Sequence, residues 1–226
     1  MAHQRFTPAF LLLFCWCLTL FGSAFAAIET RAWAGQKNDL FDQIYERGRP
    51  TEASLKTLTA SFVETSTSSL LAKPLVARGT LAVERPSRVV LRYREPEVRD
   101  VLIDDKLLLV TWPSRGIRQQ QDIGAAQGRV QRYFVGKSPD ELRRHFTIAA
   151  REDTVRAGAW YIDMVPTRKQ VQQGVTRIEL WISRETVLPT SMRLTFPNGD
   201  TKLMEFSDVR VNPALPPDTF ARPRGE

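Results

Sequence analysis

Residues 176–206, TRIELWISRETVLPTSMRLTFPNGDTKLMEF, decide the fold. Three segments of this stretch alternate apolar with polar side chains, as strands with one buried face do. Two turns separate them, and the second, PNGD at 197–200, contains the Asn-Gly pair that favours a tight hairpin. The stretch therefore predicts three consecutive antiparallel strands, at 176–183, 190–196 and 201–206, that share one apolar face.

Short segments of the same kind extend the pattern in both directions along the chain. Further strands are predicted at 60–69, 79–84, 88–94, 101–103, 107–112, 116–123, 147–150 and 160–165. Asp104 and Asp105 stand between two of them and read as a tight turn rather than a catalytic pair of carboxylates. Many short strands joined by turns predict a mainly β fold, a curled antiparallel sheet that forms an incomplete, half-open barrel.

A few helices interrupt the strands. The first is predicted from Asn38, a good N-cap, to Gly48, and a second short helix from Thr51, with Leu55 and Leu58 facing inward. The apolar stripe of the first helix consists of Leu40, Phe41, Ile44 and Tyr45. Another helix is predicted at SPDE, residues 138–141, where Ser caps, Pro takes the first position and Glu completes a capping box.

The predicted helices are few compared with the broad apolar face that the predicted strands share. A bent sheet has to cover its apolar side, and sparse cover leaves room for a ligand, although a core filled by side chains fits the same pattern. We expect the helix after Asn38 and the segment near Ser138 to form a lid over this face. The expected cavity lining is Phe62, Leu81, Leu91, Ile103, Ile178, Leu180, Met192, Leu194, Met204 and Phe206.

The N-terminus has the pattern of an export signal. His3 and Arg5 precede an apolar run at 10–21, and Ala24 and Ala26 supply the small residues of a cleavage site. The run is short for a membrane span of about 20 residues, which disfavours an uncleaved anchor. We expect a signal peptide at 1–26, a single domain at 27–226, and a periplasmic location.

Composition excludes several kinds of chemistry. Both cysteines, at 15 and 17, lie in the predicted signal, and His145 is the one histidine after it, so neither a zinc site nor a disulfide is expected. No nucleophile or phosphate-loop motif occurs, and we expect no cofactor and no enzymatic activity. The formal net charge is +7, but basic residues are scattered beside acids, which disfavours nucleic acid as a partner. We expect a monomer.

Several segments resemble the outer-membrane lipoprotein carrier family of LolA-type proteins. ASFVE at 60–64 is similar to that family's Ala-x-Phe-x-Gln strand, and GTLAVERP at 79–86 to its Gly-x-Leu-x-Val-Lys-Arg-Pro stretch. Pro96, DDKLL at 104–108 and Pro113 follow in the family's order. Near the end, DTF at 218–220 and PRG at 223–225 resemble its closing motif.

The resemblance implies an incomplete antiparallel barrel with a helical lid. It also implies a function, in which acylated lipoproteins are received from an inner-membrane ABC-type exporter and delivered to an outer-membrane acceptor. In that family the Arg of the Arg-Pro stretch latches the lid, and the matching residue is Arg85. The lid and latch residues are then Arg85, Leu40, Phe41, Ile44 and Tyr45.

The chain departs from the family pattern at four positions. Glu64 replaces a Gln, Asp105 replaces the turn Gly, and Leu91 and Leu109 stand where the family often has Trp. The expected aromatic lining is therefore thinner, which leaves the cargo open: another lipid, a glycolipid, a pigment or another acylated product. A periplasmic regulator that senses mislocalised lipoproteins is a further alternative on the same fold.

Overall fold

The computed structural model describes residues 39–125 and 137–221. The predicted signal peptide at 1–26, Asn38, and the PRG segment at 223–225 lie outside the described residues. Within them, eleven strands form one antiparallel sheet in the order β6-β5-β4-β3-β2-β1-β11-β10-β9-β8-β7. In this part of the chain β6 and β7 are the two edges, so the sheet is not closed into a complete barrel.

Every predicted strand is present, most of them longer than predicted. The strands are β1 Thr57–Thr67, β2 Leu75–Glu84, β3 Arg88–Glu95, β4 Arg99–Asp104, β5 Leu107–Trp112, β6 Ile117–Asp122, β7 Phe146–Glu152, β8 Ala159–Pro166, β9 Arg177–Ser183, β10 Pro189–Thr195 and β11 Thr201–Val211. The Asp104-Asp105 turn joins β4 to β5, and Asp105 has a φ of 51°, which explains a glycine in the family pattern. The mainly β, half-open fold class is confirmed.

The first helix is longer than predicted and begins one residue later. Helix α1 spans Leu40–Ser54, and its N-cap is Asp39, whose side chain accepts from the Asp42 N–H at 3.0 Å. Gly48 does not end it, and the second helix predicted from Thr51 is its last turn. Both predictions were wrong because Gly48 is buried in the middle of a packed helix, where tertiary contacts override the local stop signal.

Leu55 and Leu58 point inward as predicted, but neither belongs to a helix. Leu55 follows α1 as its C-cap, Leu58 lies on β1, and both are buried. Two further helices are short: α2 Pro139–Arg143 and α3 Lys169–Gln172. The capping box predicted at Ser138 and Glu141 is present with both of its hydrogen bonds.

The main core lies on one face of the sheet, which we call the inner face. Its buried residues come from all strands but β6, and α1 and α2 pack over it. The opposite, outer face carries a small apolar cluster of Ala82, Val90, Leu102 and Leu109, against which Phe220 packs. Leu109 therefore lies on the outer face. The Trp that the family often has at this position would not line the inner face, so the expected loss of aromatic lining at Leu109 was wrong.

Candidate functional site

The inner face brings together all ten residues expected to line a cavity. Nine of them are buried members of the main core cluster, and Phe206 packs against it partly exposed. Cross-strand pairs place them in rows across the sheet, for example Leu180 beside Met192 and Met192 beside Met204. The alternation of the strands thus puts them on one continuous apolar surface.

This surface is fully covered in the structure. The nine buried residues are at most 4% exposed, and Leu91, Ile178 and Leu194 are 0% exposed. A cavity wide enough for water would expose part of these side chains, so the inner face is packed as it stands. A hydrocarbon chain can occupy it only if some of the groups packed on this face move.

Helix α1 packs on this face next to β7 and α2. Phe41 and Ile44 on its inward stripe are 7% and 1% exposed, and Leu40 and Tyr45 pack against the core cluster from the same helix. The helix pattern read from the sequence therefore identifies the face of α1 that meets the sheet. We call α1 the lid helix.

Arg85 joins the end of the lid helix to the sheet. Its Nη1 donates to the backbone carbonyl of Glu52 at 2.9 Å, and Nη2 lies 3.5 Å from the Glu52 carboxylate. The Arg85 backbone N–H donates to the carbonyl of Lys56 at 2.9 Å. A guanidinium that bonds a helix carbonyl is the arrangement that the latch interpretation requires.

Glu52 is itself enclosed by this contact, with a side chain only 10% exposed. Burial raises the pKa of its carboxyl above the ordinary value, and the Arg85 guanidinium offsets part of that rise. Closing the lid helix therefore favours the protonated form of the Glu52 carboxyl, whereas the Arg85 guanidinium favours the charged form.

The other end of the lid helix is held by Arg143 of α2. Its guanidinium contacts Asp42 at 2.8 Å and Asp39 at 2.7 Å, and lies 5.4 Å from the ring of Phe41. Tyr45 donates to the Lys137 carbonyl at 3.0 Å. Sequence reasoning missed Arg143, because its carboxylate partners lie about a hundred residues away in the chain.

The middle of the lid helix makes one more polar contact with the sheet. Arg47 donates to the Arg184 carbonyl at 3.1 Å, and its guanidinium lies 4.9 Å from the centre of the Trp160 ring. No sequence signal indicated this residue. Together with Arg85 and Arg143, it makes the lid a helix held by a small number of arginine contacts at its rim.

A buried polar cluster interrupts the apolar inner face. Glu64 accepts from the Tyr93 hydroxyl at 2.7 Å and lies 2.9 Å from Lys202 Nζ. Burial raises the pKa of Tyr93 well above its ordinary value, with Glu64 as a further cause, and burial lowers that of Lys202. Arg99 lies over the Tyr93 ring at 3.8 Å. The only sequence signal for this cluster was the acid in place of the family's Gln.

A groove of about 410 Å³ lies on the outer face, away from the expected site. Sheet residues such as Thr59, Ala82 and Val90 line one side, and Pro216 and Thr219 of the C-terminal segment line the other. Arg92 crosses it and donates to the Thr219 carbonyl at 2.9 Å. Leu81, expected in the cavity, also contributes to this lining.

Within residues 39–125 and 137–221, no group of three or more His, Cys, Asp or Glu side chains is placed to hold a metal ion. None of the described helices has the length and apolarity that crossing a bilayer requires.

Comparison with known proteins identifies relatives of this lidded sheet. The outer-membrane lipoprotein carrier protein of Dechloromonas aromatica is 25% identical over 201 residues, 89% of each chain. That of Ralstonia nicotianae is 24% identical over 149 residues, 63% of each chain. An uncharacterized conserved protein from Thermus thermophilus superposes with a TM-score of 0.52 at 11% identity, covering 82% of this chain and 95% of that one, which shows a shared fold.

A family model extends this likeness over most of the molecule. The model described as outer membrane lipoprotein carrier protein LolA matches residues 53–223. The match starts in the last turn of the lid helix and includes every strand of the sheet and Arg85. The chain that folds into this half-open sheet therefore belongs to the LolA family of outer membrane lipoprotein carrier proteins.

Proposed function

We propose that this protein is a periplasmic carrier that binds the acyl chains of lipoproteins between the lid helix and the inner face and ferries them from the inner to the outer membrane. The observation that carries this proposal is a broad apolar sheet face against which one helix packs its apolar side chains, while a few arginine contacts hold that helix in place. The carrier description of the family supports a binding role rather than a catalytic one.

The energetics of such a carrier require an opposing cost. Burying an acyl chain gives about 0.8 kcal/mol per methylene, or on the order of 10 kcal/mol for a long chain. Displacing the lid helix exposes Phe41 and Ile44 and breaks the contacts of Arg85 and Arg143, which reduces the net affinity. Cargo that is held less tightly can be passed to an acceptor.

Arg85 is the latch in this proposal. Its hydrogen bond to the Glu52 carbonyl stabilises the closed lid, and opening the lid breaks it. The candidate cavity consists of the ten inner-face residues named above, and the lid residues are Leu40, Phe41, Ile44 and Tyr45. The predicted signal peptide at 1–26 supports export, and the partners would be an inner-membrane ABC-type exporter and an outer-membrane acceptor.

Depletion followed by membrane fractionation tests the ferrying role. We expect lipoproteins to accumulate at the inner membrane when the protein is depleted, and plasmid-borne wild type to reverse the effect. Unchanged lipoprotein distribution would exclude the role as a general carrier.

Native mass spectrometry of protein taken from the periplasm identifies the cargo. A diacylglyceryl peptide supports the proposal, whereas a glycolipid, a pigment or another acylated product would replace lipoprotein as the cargo on the same inner face. The matched control is a variant with Leu194→Asp, which places a charge at a position of 0% exposure and should carry no lipid in any fraction that folds.

A further inference from the structure

One end of the sheet exposes several large apolar side chains. The β1–β2, β3–β4 and β5–β6 connections all lie at this end, because every second connection between consecutive antiparallel strands lies at the same end of the sheet. The exposed residues there, which we call the apolar tip, are Leu70 at 89%, Leu71 at 38%, Leu75 at 42%, Val76 at 39%, Val98 at 40% and Ile117 at 41% exposure.

The β1–β2 hairpin projects beyond its neighbour. Arg78 of β2 pairs with Glu95, the last residue of β3, so β2 and its loop continue past the β3–β4 turn. From Arg78 to Leu75 this extension is three residues, roughly 10 Å of extended chain, and Leu70 and Leu71 lie in the loop beyond it. The most exposed leucine is therefore on a hairpin that extends past the neighbouring β3–β4 turn.

The β1–β2 loop and the strand segments next to it carry basic side chains only. Residues 65–83 contain Lys73 and Arg78 and no acid. Acids lie on the neighbouring elements: Glu95 pairs with Arg78 at 3.0 Å, and Glu97 and Asp200 stand in the adjacent turns. Arg94, exposed on β3, lies at the same end of the sheet. Leucines at the tip of a loop with a basic side chain beside them match the interface of an anionic bilayer, where the lysine stem reaches the phosphates while the leucines enter the acyl region.

We propose that the apolar tip docks on membranes rich in anionic phospholipid, with Leu70 and Leu71 entering the interface and Lys73 contacting the headgroups. This surface is separate from the inner face, and the inference does not depend on the identity of the cargo. It gives the protein a direct contact with lipid in addition to any contact with membrane proteins.

Vesicle co-sedimentation tests the docking. The protein is purified as the producing cell processes it, and the mass of its N-terminus is measured so that all variants carry the same terminus. Wild type should sediment with vesicles of phosphatidylglycerol and phosphatidylethanolamine, and half-molar salt should weaken the binding because the contact is partly electrostatic. The double variant L70S/L71S should bind at least about tenfold more weakly, since two leucines lose their burial in the interface.

Val155 provides the matched control, because it is also 89% exposed but lies in the β7–β8 connection at the opposite end of the sheet. V155S should bind vesicles like wild type. A polarity-sensitive dye attached to S69C should shift to the blue with vesicles, and one attached to T154C should not.

Three results would overturn the proposal. They are no sedimentation of wild type with anionic vesicles, an equal loss in V155S and L70S/L71S, or no spectral shift at position 69. If the apolar tip binds a protein partner instead of a membrane, wild type will not sediment with anionic vesicles. Cargo binding by L70S/L71S, measured by native mass spectrometry, stays at the wild-type level if the inner face is the cargo site, which separates this test from that of the proposed function.

Discussion

Replacing Arg85 with Leu should release the lid helix. The change removes a charged donor 2.9 Å from the Glu52 carbonyl, at a side chain that is 24% exposed. Hydrogen bonds that involve a charged group contribute about 1.5–3 kcal/mol. We expect the free energy of lid closure to fall by about 2 kcal/mol, which raises the population of the open lid about 30-fold.

Hydrogen exchange measures this opening directly. The amides of the lid helix near Ile44 and Gly48, both buried, should exchange about 30-fold faster in R85L, whereas amides in the centre of β1 and β11 should keep their rates. If only open protein binds cargo, the affinity for a long-chain acyl probe rises by the same factor. The variant should then load normally and release slowly.

Arg88→Leu is the matched control. Arg88 follows three residues later, pairs with Glu84 at 3.1 Å and lies over the Phe220 ring on the outer face. R88L should leave the exchange of the lid helix unchanged. Wild-type exchange in R85L, equal acceleration in both variants, or normal release of cargo by R85L would refute the latch.

Three further predictions concern other parts of the structure. Glu64→Gln leaves the buried Lys202 ammonium without its carboxylate and should lower the free energy of unfolding by about 3 kcal/mol, measured in urea, with E64Q/K202M recovering part of it. Gly79→Ala places a methyl group against the backbone of β3 and should cost about 1–3 kcal/mol, whereas Gly174→Ala, with 3.7 Å of room, should not. Because burial raises the pKa of Glu52, closing the lid takes up a proton at this carboxyl. The protonated carboxyl therefore stabilises the closed lid fully below the ordinary pKa of 4.5, and this stabilisation is lost as pH rises through the raised pKa. Exchange of the lid helix, corrected for intrinsic rates, should therefore accelerate over that interval in wild type and not in E52Q.

Local patterns were sufficient for most of the fold. Alternation in 176–206 identifies the strands and their shared face, and the Ser138 capping box marks a helix start, because both signals depend on neighbours within a few residues. The helix end predicted at Gly48 was wrong, because the sequence does not distinguish a glycine that packs inside a helix from one that ends it. Strand ends also ran beyond prediction where pairing continued, as in β11 with β1 up to Val211.

The polar contacts of the site were much harder to predict. Arg85 was identified through the resemblance alone, and a basic residue before a proline has no distinguishing local pattern. Arg143 with Asp42 and Glu64 with Lys202 join segments more than a hundred residues apart, and such pairs leave no periodicity in the chain. Only the three-dimensional arrangement brings them to the rim and floor of the same sheet.

The unpaired edges of the sheet have a consequence for the range of molecules that it can hold. In the described part of the chain β6 and β7 do not hydrogen-bond to each other, so no closed ladder fixes the girth of the sheet. Strands near the edges can spread to fit a thicker guest without breaking main-chain hydrogen bonds. The exposed arginine and glutamines of β6 disfavour pairing of this edge strand with a strand of a second molecule.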